Sequence, residues 1–255
     1  MSDLTERLSG TYSLHLYLPF SRAARTFRQF SRKIRGKITK HAQSTQLPTA
    51  KWNQLIDSEN FRLTDLKKNN GNVRISELGI LSLLAKQCAD HSTIFEIGTF
   101  DGRTTLNLAL NSPEHCRVVT LDLPTETDTK FNVDAGEVHF IDKPESGARY
   151  KHSQTHASAS KKITQQYGDS ATYDFTPYHG QCSLIFVDGS HAYDYAISDT
   201  INARDMLSPG GIIIWHDYGV WKGVTQALEE IEENEKLGLK HIAGTSLVYW
   251  KSPDR

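Results

Sequence analysis

The 255-residue chain has only three cysteines, two methionines and eight prolines. Cys88, Cys116 and Cys182 are odd in number, widely separated, and match no metal-ligand spacing. They exclude a disulfide scaffold and a zinc ribbon and point to a reducing compartment. No apolar run approaches the roughly 18 to 20 residues needed to span a bilayer. The opening residues also lack the ordered charged, apolar and cleavage regions of a secretory signal. The expected location is therefore cytoplasmic. What is present fits a globular protein: 38% apolar and 23% charged residues, at a length that suits one α/β unit with an appendage.

The near-neutral total hides a division. The first 50 residues carry nine Lys/Arg against two acids, a net of +7, which leaves −8 for the rest of a chain whose total is −1. Between Phe20 and Lys40 there is no acid at all. Helical periodicity there gathers Phe20, Phe27, Phe30, Ile34 and Ile38 into one stripe and leaves Arg22, Arg25, Arg28, Arg32, Lys33, Arg35, Lys37 and Lys40 on the remaining arc. Residues 1–50 are thus expected to form a basic amphipathic helical extension and linker, with the main body at 51–255. The stripe is expected to pack on the body. The competing expectation is peripheral contact with an anionic membrane at the inner surface, through residues 20–40. No nucleic-acid partner is expected, because no Tyr or Trp interleaves these bases.

The main body alternates strands and helices. Helices are predicted over 76–88, 104–110, 161–167, 196–207 and 224–237; strands are predicted over 93–97, 117–122, 183–188, 212–215 and 245–250. The stretch 124–160 is polar, carries no periodicity, and reads as an insertion. Such alternation predicts a mostly parallel sheet with helices on both faces, with ligands bound outside the carboxyl ends of its strands.

Those ends carry acids and glycines. The first reads Glu96-Ile97-Gly98-Thr99-Phe100-Asp101-Gly102. Gly98 and Gly102 permit a tight turn into a helix whose free N–H groups face a ligand, at a spacing different from the three-glycine dinucleotide fingerprint. Asp122 ends the second strand, where a carboxylate can accept two ribose hydroxyls. Gly168-Asp169-Ser170 offers an acceptor for an adenine amino group. The most informative pair is Asp188-Gly189-Ser190-His191 and Trp215-His216-Asp217-Tyr218. On adjacent parallel strands these bring Asp188 beside Asp217, a pair that can hold a divalent cation, with His191 placed to take a proton.

In these segments the chain resembles the class I S-adenosylmethionine-dependent methyltransferases. Glu96-x-Gly98-x-x-x-Gly102 is similar to that family's first motif, and residues 186–218 resemble the macrocin-type and catechol-type O-methyltransferases. The resemblance covers roughly residues 75–250. It implies a Rossmann-like, doubly wound, mostly parallel seven-stranded sheet. It also implies S-adenosylmethionine held by Glu96, Gly98, Thr99, Gly102, Asp122, Asp169, Ser170 and Asp188. A Mg or Mn ion would sit on Asp188, His216 and Asp217, with His191 and His216 as catalytic groups. His216 departs from the family's oxygen ligands and sits poorly with magnesium. The expected acceptor is a hydroxyl of a small or sugar-containing molecule, with Tyr193, Tyr195, Tyr218, Trp215 and Trp221 near it. Two other functions compete: a metal-dependent hydroxylase using Asp188, His216 and Asp217 as a facial triad, and a non-catalytic membrane-associated adaptor.

Overall fold

The computed structural model describes residues 10–12, 45–134 and 136–254. The expected basic helix at 20–40 lies outside the described residues. An eight-stranded sheet runs through the molecule. Its strands are β2 (Thr49–Ala50), β4 (Thr93–Ile97), β5 (Arg117–Asp122), β6 (Ile163–Tyr167), β7 (Cys182–Val187), β8 (Leu207–Trp215), β9 (Lys240–Ile242) and β10 (Val248–Lys251). They lie in the order β2-β9-β10-β8-β7-β4-β5-β6. β10 is antiparallel to both neighbours and the remaining pairs are parallel. A separate two-stranded sheet joins β1 (Gly10–Tyr12) to β3 (Phe61–Leu63).

Period-two alternation along the central strands builds two cores. Ile94, Val118, Leu184, Phe186 and Ile214 face α1 (Ile75–Lys86) and α2 (Arg103–Asn111). Phe95, Ile97, Ile185, Ile213 and Trp215 face α6 (Tyr193–Met206) and α7 (Lys222–Glu235). Helices therefore cover both faces, as parallel strands require. No helix among the described residues is long and apolar enough to cross a membrane.

Three expectations need correction. The sheet has eight strands because Thr49–Ala50, read as linker, pairs with β9, and Leu47 beside it is buried. Residues 163–167 form strand β6, where a helix was predicted, in parallel register with β5 from Val118↔Ile163 to Asp122↔Tyr167. β8 begins at Leu207 and takes in the Ser208–Gly211 segment left between a predicted helix and a predicted strand, with a shift of register against β7. The insertion contains three one-turn helices, α3 (Val138–Ile141), α4 (Ala148–Lys151) and α5 (Ala157–Ser160).

Candidate active site

Strand order reverses around β4, which has β5 on one side and β7 on the other. A cavity of about 510 Å³ opens at the carboxyl ends of these strands, where such a switch point places ligands. Main-chain bonds past the strand ends fix its floor. Gly98 N–H donates to Leu121 C=O at 2.8 Å, Asp188 N–H to Ile97 C=O at 2.8 Å, and His216 N–H to Val187 C=O at 3.0 Å. Gly98 has φ +99°, and a Cβ there would lie 2.1 Å from the Asp188 carbonyl oxygen, so only glycine fits.

Of the residues expected to hold a cofactor, Gly98, Asp122, Asp169, Ser170 and Asp188 line the cavity. Glu96, Thr99 and Gly102 are not among the lining residues. Glu96 shares its strand face with Ile94, so it points toward α2 and accepts hydrogen bonds from the Thr105 and Thr120 hydroxyls. Complete burial pushes its carboxyl up to about 8. The Thr99 hydroxyl bonds Thr120 and receives the Gln165 amide at 2.9 Å. Gly102, at φ +83°, turns into α2 beneath Gly147 and Tyr150 of the insertion. Asp122 faces Lys143 Nζ at 3.0 Å. Asp169 accepts from the Tyr195 hydroxyl at 2.8 Å, and from the Lys130 and Ala171 N–H groups at 2.8 and 3.0 Å.

The opposite end of the cavity is densely charged. His191 stands between two carboxylates, with Nδ1 2.8 Å from Glu137 Oε1 and Nε2 2.7 Å from Asp217 Oδ2. Its ring stacks on Trp221 at 4.4 Å with the planes 3° apart. Burial alone would lower its pKa, but hydrogen bonds to Asp217 and Glu137 raise it to about 9. The two carboxylates thus favour the charged form of the ring that was expected to take a proton. His216 lies beneath, with Nδ1 2.8 Å from Asp188 Oδ1 and Nε2 3.4 Å from Glu77 Oε2. Burial opposes its charged form, yet Asp188 and Asp217 raise its pKa well above the ordinary value. Glu77 is wholly buried. It accepts from Ser246 N–H at 2.8 Å and from the Arg74 guanidinium, and His216 and Arg74 hold its carboxyl well below the usual range against the burial that opposes them.

Four of these residues escaped sequence reading. Glu77 and Arg74 look like a local capping box at the start of α1, and nothing local says that this turn borders a cavity. Glu137 and Lys143 come from the insertion, whose lack of periodicity hid them. Of the expected aromatics, Tyr195 and Trp221 line the cavity. Trp215 and Tyr218 are buried, bonding Thr200 and Glu229, and Tyr193 bonds Glu230.

The donor set suits a divalent cation. Ligand atoms of Asp188, His191 and Asp217 lie within 4.8 Å of one another. The carboxyl groups of Glu77, Glu137, Asp188 and Asp217 outnumber the cations Arg74, His191 and His216. His216 stands outside the converging trio, as the hydrogen-bond partner of Asp188. The two carboxylates supply the oxygen donors that magnesium or manganese takes, and the imidazole of His191 lies beside them.

The family described as "Methyltransferase domain" matches residues 95–218, from within β4 to just past β8. No match was found among curated proteins. Among solved structures, cofactor-bound Rv0187 from MTB superposes with a TM-score of 0.51 at 16% identity, covering 74% of this chain and 85% of its own. The O-methyltransferase NovP gives 0.52 at 14% identity, over 71% of this chain and 81% of its own. The SAH-bound Podospora anserina methyltransferase PaMTH1 gives 0.50 at 17% identity, over 73% of this chain and 81% of its own. At these identities the likeness establishes the fold: a mostly parallel Rossmann-like sheet flanked by helices.

Proposed function

We propose that the protein transfers a methyl group from S-adenosylmethionine to a hydroxyl oxygen of a small or sugar-containing acceptor, with a divalent cation assisting. One observation carries this reading: the segment matching a methyltransferase domain is the segment whose strand ends deliver Gly98, Asp122, Asp169 and Asp188 to one cavity. Two of the structural neighbours carry a cofactor or SAH, and NovP is an O-methyltransferase, which supports the same assignment here.

In this reading Gly98 lets the cofactor approach the backbone, Asp122 accepts the ribose hydroxyls, and the Asp169–Ser170 turn receives the adenine. Asp188 and Asp217 hold the cation, with His191 beside them. A bound cation would orient an acceptor bearing neighbouring oxygens and lower the pKa of one. His216 fixes the Asp188 carboxylate through its Nδ1–H and is itself held by Glu77. Trp221 and Glu137 lock the His191 ring in place. His191 would be the group placed to receive the proton of the acceptor hydroxyl, since a cation beside Asp217 would bring its pKa down. When bound, S-adenosylmethionine would supply an electrophilic methyl group on a sulfonium, and the cavity would hold the acceptor oxygen in line with it. Val133, Phe140 and Ile141 give the cavity an apolar wall that would limit water at the acceptor.

Labelled methyl transfer to a panel of sugars and catechols, with and without chelator, tests both parts. Transfer that stops in chelator and returns with manganese is the expected result. Full transfer in chelator would remove the cation from the mechanism, while transfer to no acceptor, with product analysis pointing to oxygen insertion, would favour the hydroxylase.

A further inference from the structure

A second group of metal-ligating side chains lies at the other end of the sheet. Asp90 and His91 precede β4, and His115 precedes β5, so all three sit at the amino ends of strands whose carboxyl ends carry the cavity. Strands of this length set the two places apart by roughly 15 Å or more. The group cannot share reacting atoms with the site described above.

The geometry converges on one point. His115 Nδ1 lies 2.9 Å and His91 Nε2 3.8 Å from the same oxygen, Asp90 Oδ2. The ligand atoms of all three fall within 4.8 Å of one another. Donors bound to one zinc ion at about 2.0 to 2.1 Å stand about 3.3 Å apart in a tetrahedron, between the two measured separations. The His91 and His115 rings stack 4.7 Å apart with planes 11° from parallel, so both edges address the carboxylate. Asp90 is held in advance, because its other oxygen accepts the His115 N–H at 3.0 Å. His91 takes φ +61°, an uncommon conformation for a side chain of this size, and it brings the ring over His115. The side chains are 46%, 76% and 57% exposed for Asp90, His91 and His115, leaving room for water on the open coordination positions.

We propose that Asp90, His91 and His115 form a three-ligand site for a divalent transition-metal ion of the zinc class, separate from the methyl-transfer cavity. Two imidazoles and one carboxylate favour zinc, nickel or copper over magnesium or calcium. The ion would tie the loop after α1 to the loop before β5. Binding to the folded form alone would stabilise it by mass action.

The test is calorimetric titration of zinc chloride into the full chain and into His91→Ala, His115→Ala and Asp90→Asn. These residues are exposed, so the variants fold. The expected result is one equivalent fewer in each histidine variant, at least tenfold weaker binding in Asp90→Asn, and a zinc-dependent rise in the unfolding temperature that the variants lose. A fall from two equivalents to one supports this site and shows a second zinc site elsewhere on the chain. A fall from one to none supports this site alone. Equal stoichiometry and affinity in the unmodified protein and the variants would overturn the proposal, leaving a surface ion pair and two stacked rings.

Discussion

The two ends of the cavity are built differently. At one end, Gly98, Asp122 and Asp169 stand singly at the ends of β4, β5 and β6, each fixed by its strand and by one or two neighbours. At the other, Glu77, Glu137, Asp188, His191, His216 and Asp217 arrive from four separate segments and hold one another in a chain of ion pairs. The first end depends on backbone geometry and tolerates loss of a side chain. The second depends on charge balance, since removing one member leaves a buried partner uncompensated. Backbone and charge substitutions should therefore fail in different ways.

The largest effect is expected at the backbone of the first end. Gly98→Ala forces an alanine into φ +99° and drives its Cβ against the Asp188 carbonyl. It should cost about 3 kcal/mol or more of stability, read from denaturant unfolding. A loss below about 1 kcal/mol would mean that the turn can move. Next comes Glu96, behind the cavity floor. Its folded pKa of about 8 exceeds the unfolded one, so the native state keeps a proton that the unfolded chain releases. Stability contributed here falls as pH rises from about 4.5 to about 8. Glu96→Gln should remove that decline, gaining on the order of a few kcal/mol at pH 8 and little at pH 5. Identical pH–stability curves would place Glu96 in contact with water.

The charged end should respond through His191. Its pKa of about 9 exceeds the unfolded value, so its charge stabilises fully below about pH 6.5 and the contribution is lost as pH rises through about 9. Glu137→Gln removes one of the two carboxylates. It should lower the His191 pKa and cost about 1.5 to 3 kcal/mol near neutrality, with the ring followed by NMR titration. An unmoved pKa would show that Asp217 alone holds the charge.

How much of each end was legible follows the same division. Strands β4, β5 and β7 announced themselves as short buried runs ending in Gly or Asp, and parallel register carried their termini to one edge. β6 did not, because Ile163-Thr164-Gln165-Gln166-Tyr167 is an edge strand without a dry face, and only pairing with β5 makes it extended. Glu96 was read as facing a ligand. Strand alternation, applied from Ile94, turns it toward α2. Asp188, His191, His216 and Asp217 were legible as a cluster because two adjacent strands end there. Glu77 and Glu137 were not, because their roles depend on contacts with residues more than 50 positions away.

A smaller expected effect separates the insertion from the strand that it covers. Lys143, with its side chain 10% exposed, pairs with Asp122, the carboxylate assigned to the ribose. Lys143→Met should release Asp122 and tighten cofactor binding severalfold, a gain near 1 kcal/mol. Weaker binding would make Lys143 a ligand of the cofactor.

The most direct measurement is calorimetric titration of S-adenosylmethionine into the unmodified protein and into Asp122→Ala. The account predicts one equivalent bound, weakened by about 1.5 to 3 kcal/mol in the variant through loss of charged hydrogen bonds to the ribose. Absence of binding to the unmodified protein would contradict the assignment of the cavity to methyl transfer.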